Sequence, residues 1–352
     1  MPMRRVPQHV MQAFAEDIFR AAGSEPSEAR LVAAHLVEAS LLGHDSHGVI
    51  RISKYIEWVR VGKVVPNQHA HLVTDRGALA VIDGNHGYGQ VIGKEAMELA
   101  AERALAHGMA SIAIRNSGHL GRIGAWPEML ARLGLASVHF VNTSGFGILV
   151  APHGGKDRRL SANPIAAGVP VSGGAPLVLD IATSAIAEGK IQVARNKREQ
   201  LPPGMLLDGH GRPTTDPEAF YADPPGAILP FGGHKGSGLS FFCEVLAGSL
   251  SGGFASNPQS ATAGRLVNNM LSLVFDPSAF GSADAFAKDV TRLVGWIKST
   301  PPIEPGGKVL LPGETEEQTR SDRRVKGLPI DGETWRKIKV SAASLGVAIP
   351  KV

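Results

Sequence analysis

The chain has 352 residues, 43% of them hydrophobic and 19% charged, with a formal net charge of +4, so it can bury a large core and form two or three lobes. Only 5% of the residues are aromatic, and the densest basic runs, 195–198 and 320–326, are short, which argues against a base-stacking nucleic-acid surface. A lone cysteine, Cys243, allows no internal disulfide and suits a reducing compartment such as the cytoplasm.

Residues 7–22 predict a helix with Val10, Phe14 and Ile18 on one face and Gly23 as its stop. No apolar run follows Arg4 and Arg5, so no signal peptide is expected. Ser24-Glu-Pro-Ser-Glu opens a second helix that runs to Leu42 and stops at Gly43. A third helix covers about 49–60. If helical turns begin near His47, then His47, Arg51 and Tyr55 fall at i, i+4 and i+8 on one face.

The pattern then changes to alternating strands and helices. Strands are predicted at 78–83, 110–114, 137–141 and 270–275, and a hairpin at 166–170 and 177–179. Helices are predicted at 91–107, 123–133, 186–198, 236–250 and 283–297, with two more in the last sixty residues. Residues 201–231 are proline-rich and polar, an ordered excursion. The apolar window 239–250 is too short to span a bilayer and contains Glu244, so no membrane partner is expected. Cys243 within it reads as a small buried hydrophobe. The alternation argues for a mixed α/β fold. Gly87-Tyr-Gly89-Gln-Val-Ile-Gly93 is one residue too long for GxGxxG and reads as a turn that opens the next helix; no P-loop is present.

Chemistry concentrates in a few glycine-bounded patches. Gly43-His44-Asp45-Ser46-His47-Gly48 holds two imidazoles, a carboxylate and a hydroxyl, followed by Arg51 and Tyr55. That set offers a proton carrier, a fork for a carboxylate and a phenol. Asn116-Ser-Gly-His119-Leu-Gly121-Arg122 follows a strand, as does Asn142-Thr143-Ser144-Gly145. Asp180, at a strand end, has two readings: a cap for a helix starting near Ser184, or a ligand for a ribose hydroxyl. Gly232-Gly-His234-Lys235-Gly236 precedes a helix, where small residues, free N–H groups and a lysine suit a diphosphate, or serve as a plain glycine-rich cap. Leu310-Leu-Pro312-Gly313-Glu314 is a further patch. A metal on His44, Asp45, His47 and His119 has weak support, because HExxH is absent and no third ligand stands at a recognisable spacing. Ser46 beside His47 lacks the G-x-S-x-G elbow of a hydrolase.

Seven segments, in this order, resemble the malate/L-lactate dehydrogenase family that is distinct from the Rossmann lactate dehydrogenases. They are Gly43-His-Asp-Ser-His-Gly48, Gly118-His-Leu-Gly-Arg-Ile-Gly124, Ala162-Asn-Pro164, Asp180-Ile-Ala-Thr183, Pro213-Thr-Thr-Asp216, His234-Lys-Gly236 and Leu311-Pro-Gly-Glu314. Within the family the chain looks most like the bacterial hydroxycarboxylate dehydrogenases. The resemblance implies a non-Rossmann NAD(P)-binding α/β fold with a large, mostly antiparallel mixed sheet and an N-terminal helical lobe. The expected division is a lobe over 1–75 packed with the C-terminal helices, a cofactor and substrate domain over 76–300, and a helical segment over 301–352. It implies a homodimer with active sites at or near the subunit interface.

Carried over by motif, His47 and His119 flank substrate and nicotinamide, and one of them relays the proton. His119 is the first choice and His47, with Ser46 orienting it, the second. Arg51 and Tyr55 hold the substrate carboxylate. Gly121, Arg122, Ile123, Thr143, Ser144, Leu179, Asp180, Ile181, Ala182, Thr183, His234, Lys235, Asn268, Leu311, Pro312, Gly313 and Glu314 line the cofactor together with His47. The expected activity interconverts a small 2-hydroxy acid and its 2-oxo acid with NAD, NADP being the other option through Arg195, Lys197 and Arg198. The rivals are NADPH-dependent reduction of a cyclic imino acid, a metal-dependent hydrolase or lyase, and a binding protein without turnover.

Overall fold

The computed structural model describes residues 3–145, 147–262 and 264–351. Among them, seven strands form one sheet, and its inner strands carry apolar residues on both faces because a strand buried on both sides needs no polar alternation. Its order is His71–Arg76, Leu79–Asp83, Met109–Ser117, Leu266–Phe275, Ala136–Gly145, Ile165–Val169 and Leu177–Ile181. Leu266–Phe275 arrives from far along the chain and pairs antiparallel with a neighbour on each side. Only Leu79–Asp83 and Met109–Ser117 are parallel, and the helix Gly89–His107 between them supplies the crossover such a pair requires. The other pairs are antiparallel, so the sheet is the mixed, mostly antiparallel one expected.

Helices Gly89–His107 and Ala125–Arg132 cover the sheet through a core that includes Ile92, Met97, Ile114, Trp126, Leu130 and Met270. A second core joins both ends of the chain. Phe14, Leu36, Ile52 and Tyr55 pack with Leu328, Trp335 and Ile338, and Arg4–Val6 pairs with Leu328–Ile330. A third, smaller core gathers Val150, Leu160, Ile191, Leu206 and Phe220. Among the described residues no helix is long and apolar enough to cross a membrane.

The structure departs from expectation in four places. His71–Arg76 is a strand of the large sheet, inside the segment expected to be helical lobe; it is an exposed edge, so no face of it needs an apolar period. The excursion at 201–231 holds a three-stranded sheet whose strands are too short to leave a pattern. The expected helix 236–250 is an α-helix over His234–Cys243 that widens into a π-helix over Glu244–Ser249. There the buried Glu244 carboxylate accepts from Asn142 Nδ2, Asn163 Nδ2 and the Ser256 backbone N–H, and Cys243 is buried as expected. Last, the third helix begins at Arg51, and His47 belongs to a separate 3-10 turn, Asp45–His47.

Candidate active site

Two loops and one helix face meet around His47 and His119. The Asp45–His47 turn is held by Arg323, whose guanidinium donates to both Asp45 oxygens at 2.5 and 3.0 Å. Gly48 Cα lies against the Ser40 side chain, so the turn docks on the helix Pro26–Leu41 with no room for a Cβ. From this turn His47 faces His119, with ring centroids 5.3 Å apart and planes stacked. Ser46 Oγ lies 2.9 Å from His47 Nδ1. Arg51 Nε donates to the Ser46 carbonyl at 2.6 Å, which fixes the guanidinium plane. The three residues expected on one helix face therefore come together although His47 lies outside the helix.

The second loop, Gly118–Gly124, is built on backbone-to-backbone contact. Gly118 N–H donates to Gly87 O at 2.9 Å. A Cβ on Gly89 would lie 2.4 Å from the His119 carbonyl, and one on Gly118 2.4 Å from Gly87 O. The near-miss glycine motif thus serves to bring the start of one helix against the loop that carries His119. His35, on Pro26–Leu41, accepts from the Arg122 backbone N–H at 3.1 Å, and Gly121, at φ +75°, leaves the space its ring needs.

His119 is 9% exposed, and its Nδ1 lies 2.6 Å from the Tyr55 hydroxyl. Gln90 Nε2 donates to the same hydroxyl at 2.9 Å. Tyr55 is buried, with that hydroxyl already partnered, so it stands behind His119. The carboxylate role expected for Tyr55 competes with these two bonds, which its hydroxyl already makes. Burial raises the Tyr55 phenol to about 12, so it stays neutral. Loss of water and then the Arg51 charge push His47 down to about 3. The same two causes, with His47 and His35 adding to them, hold His119 well below its ordinary value. Both rings are therefore neutral near pH 7 before an anion arrives, the form that accepts a proton.

A track of contacts leads away from His119. Leu120 N–H donates to Asn268 Oδ1 at 2.9 Å, and Asn268 Nδ2 donates to Thr143 Oγ1 at 2.8 Å. Asn269, its neighbour, is spent on Asn142 and Asn116. Ser161 Oγ donates to the Thr143 carbonyl at 2.8 Å, and Thr183 N–H donates to the Ala162 carbonyl at 2.9 Å. Phe231 N–H in turn donates to the Thr183 carbonyl at 3.1 Å, at the glycine turn before His234. Ser144 is buried on the same strand as Thr143. Beside the turn lies a cavity of about 340 Å³ lined by His153, Met205, Leu229, Phe231, Gly232 and Gly233. The helix His234–Cys243 starts there without a side-chain cap. Small residues, open backbone and a helix start fit an extended dinucleotide.

The strand carrying Leu179, Asp180 and Ile181 meets the segment Leu311, Pro312, Gly313 and Glu314, since Val178 N–H donates to the Pro312 carbonyl at 3.3 Å. Glu314 Oε2 accepts from Leu311 N–H at 2.9 Å and the carboxylate pairs with Lys298. Asp180 accepts from Gly124 N–H at 2.8 Å, at the start of Ala125–Arg132, rather than capping a helix near Ser184, which begins only at Glu188. Arg122, expected at the cofactor, is 4% exposed and its side chain is bound to Glu128. Burial works against the Glu128 charge, and Arg122, Arg320 and Arg132 outweigh it, holding the carboxyl at about 2. Arg122 also lines a pocket with Val178, Asp180 and Gly313, beside other residues expected at the cofactor. Ile123 is buried in the sheet core.

The proposed metal set does not assemble. His44 lies 3.5 Å from Glu316 and Asp45 is paired with Arg323, and among the described residues no three such side chains converge. Sequence reasoning missed Gln90 and His35. Gln90 lies inside the glycine motif, directly after Gly89, which is the one signal that placed it near a functional loop.

The malate/L-lactate dehydrogenase family model matches residues 6–339. Hydroxycarboxylate dehydrogenase B of Escherichia coli K12 is 40% identical over 345 residues, covering 97% of this chain and 95% of that protein. An L-lactate dehydrogenase of Cupriavidus necator is 39% identical over 337 residues, 96% of each chain. The solved structure of a putative malate/lactate dehydrogenase from E. coli superposes with a TM-score of 0.93 at 39% identity, over 98% of this chain and 96% of that one.

Proposed function

The chain belongs to the malate/L-lactate dehydrogenase family and is a nicotinamide-dependent 2-hydroxy-acid dehydrogenase, and on that premise we propose that His119 moves the proton and Arg51 holds the carboxylate of a small 2-hydroxy acid. The observation that carries this reading is the convergence of Arg51, His47 and His119, the two rings stacked and the Arg51 charge acting on both. In the direction of oxidation the substrate O–H proton passes to His119 Nε2, since Nδ1 is engaged by Tyr55. The C2–H bond breaks as the C2–O bond becomes a carbonyl, and the bound nicotinamide supplies the hydride acceptor. Arg51, oriented through Nε, has its terminal nitrogens left to grip the carboxylate. The anion offsets the Arg51 charge that depresses both histidines, so substrate binding itself raises His119 toward working pH. His47, oriented by Ser46, walls the cleft by stacking.

The proposed cofactor track runs along Asn268, Thr143, Ser144, Leu179–Thr183, the His234–Lys235 helix start and Leu311–Glu314. We read the cofactor as NAD. Arg195 is bound to Glu218 and stacked on Tyr221, and Lys197 lies 3.9 Å from Glu199, so these cations of the basic run are already engaged. We further propose a cytoplasmic homodimer. Phe241, Phe242, Leu250 and Phe254 stand 57–72% exposed on one stretch of chain, and the amphipathic helix Ala283–Lys298 buries none of its residues; faces of this kind mark interaction sites. The test is an absorbance screen at 340 nm with a panel of 2-oxo acids and cyclic imines under NADH and NADPH. Turnover of 2-oxo acids with NADH is expected; turnover confined to imines with NADPH would replace the reading.

A further inference from the structure

Gln90 is the first-turn residue of the helix Gly89–His107 and is fully buried. Its Nε2 donates to Tyr55, and its Oε1 has no hydrogen-bond partner. The Tyr55 hydroxyl has one proton to give, and its two polar neighbours are Gln90 and His119. That arithmetic couples the two ends of the chain of bonds. With the Gln90 N–H pointing at Tyr55, the phenol must donate to His119 Nδ1. A neutral His119 then carries its proton on Nε2, facing the cleft, and cannot accept another there. With the Gln90 carbonyl pointing at Tyr55, the phenol donates to the amide and accepts from His119 Nδ1–H. Nε2 is then an open base, and once protonated it is the matching acid, with no further rearrangement.

We propose that Gln90 is a positioning residue whose side-chain amide, by reversing end for end, selects through Tyr55 which nitrogen of His119 carries the proton. The inference rests on the reading of His119 as the proton carrier. Each orientation leaves one amide atom without a partner, so neither gains in hydrogen-bond count and the state of His119 decides between them. The Tyr55 ring is fixed by Phe19, Trp58 and Tyr88, at centroid distances of 6.4, 5.8 and 5.9 Å, so the relay has no other freedom than rotation of the hydroxyl and the amide. The remaining groups that face His119 are Arg51, His47 and His35. Of these Arg51 keeps a fixed charge, and His47 and His35 are held neutral.

The experiment compares wild type, Gln90→Glu and Gln90→Met as full-length protein labelled with 15N-histidine, with His119→Ala used to assign the His119 signals. A carboxylate at 90 only accepts, so Gln90→Glu is expected to move the proton of neutral His119 from Nε2 to Nδ1 and to shift the acid limb of the kcat/KM profile upward. Gln90→Met removes both ends of the amide and is expected to lower kcat roughly tenfold, with KM for the oxo acid within about twofold and cofactor binding unchanged. The same His119 tautomer in wild type and Gln90→Glu, or full kcat in Gln90→Met, overturns the proposal. Full activity in His119→Ala would instead overturn the assignment of the proton to His119, and the tautomer signals would still decide the link to Gln90.

Discussion

Arg51→Lys isolates the carboxylate grip from the proton transfer. In the wild type one guanidinium nitrogen is committed to the Ser46 carbonyl at 2.6 Å, and the rigid plane presents the other two side by side. A lysine ammonium has one centre. It reaches the Ser46 carbonyl or the substrate, and it cannot form two parallel bonds to a carboxylate. The change therefore removes one charge-assisted hydrogen bond and unfixes the other. A bond of that type is worth about 1.5–3 kcal/mol, which converts to roughly 10- to 150-fold in kcat/KM. The loss is expected mainly in KM, because the carboxylate is held alike before and during hydride transfer. The assay is steady-state oxidation of reduced cofactor at 340 nm, run with a 2-oxo acid and with its carboxamide. Wild type is expected to discriminate strongly between the two, and Arg51→Lys to lose most of that discrimination. An unchanged KM together with unchanged discrimination would refute the assignment of Arg51 to the carboxylate, whatever the absolute rates.

His119→Ala is expected to lower turnover by about 10²–10⁴-fold with an unaltered circular dichroism spectrum and cofactor affinity; full activity removes His119 from the role. Gly121→Ala places a Cβ 2.3 Å from His35 Nε2 at φ +75°. The backbone conformation alone costs about 1–2 kcal/mol, so a lower Tm and a reduced kcat from displacement of the His119 loop are expected, and a wild-type Tm would show that the loop is not held by His35. His35 and His139 are both held at about 3 in the fold, by burial first in each case, below the ordinary histidine value of about 6.5. The unfolded chain thus binds protons that the folded chain refuses. Stability is full above the unfolded value and falls as pH drops from about 6.5 toward 3, by up to about 1.4 kcal/mol per pH unit for each ring. Denaturant midpoints across pH 3–8 check this, and a flat profile between pH 4 and 6.5 contradicts it.

Much of the architecture was legible because the signals are local. The helices of the first lobe announce themselves by apolar spacing and glycine stops, and the strands Leu79–Asp83, Met109–Ser117 and Leu266–Phe275 by the largely apolar stretches 78–83, 110–114 and 270–275 within or overlapping them. Helix Gly89–His107 follows its glycine turn as expected. The missed strand His71–Arg76 and the two-residue strands of the small sheet lack that signal. An edge exposed on both sides, or a strand of a single two-residue period, places no demand on sequence pattern. The π-helix at Glu244 was equally invisible, since its carboxylate meets Asn142, from the strand Ala136–Gly145, and Asn163, from the loop before Ile165–Val169.

At the cleft, the sequence by itself determined the inventory: two imidazoles, a guanidinium, a hydroxyl and the glycines that let two loops touch. Adjacency in sequence determined only the pairs Ser46–His47 and Ser46–Arg51, which hydrogen bonds within five residues complete. Tertiary structure decided the rest. Stacking of His47 on His119, the contact of the Tyr55 hydroxyl with His119 Nδ1, and the reach of Gln90 to Tyr55 all join residues 35 to 72 positions apart. A hydrogen bond depends on where both partners lie within a few tenths of an ångström, and that position is fixed by the packing of the sheet, the two helices and the loops around it, which no single stretch of sequence contains.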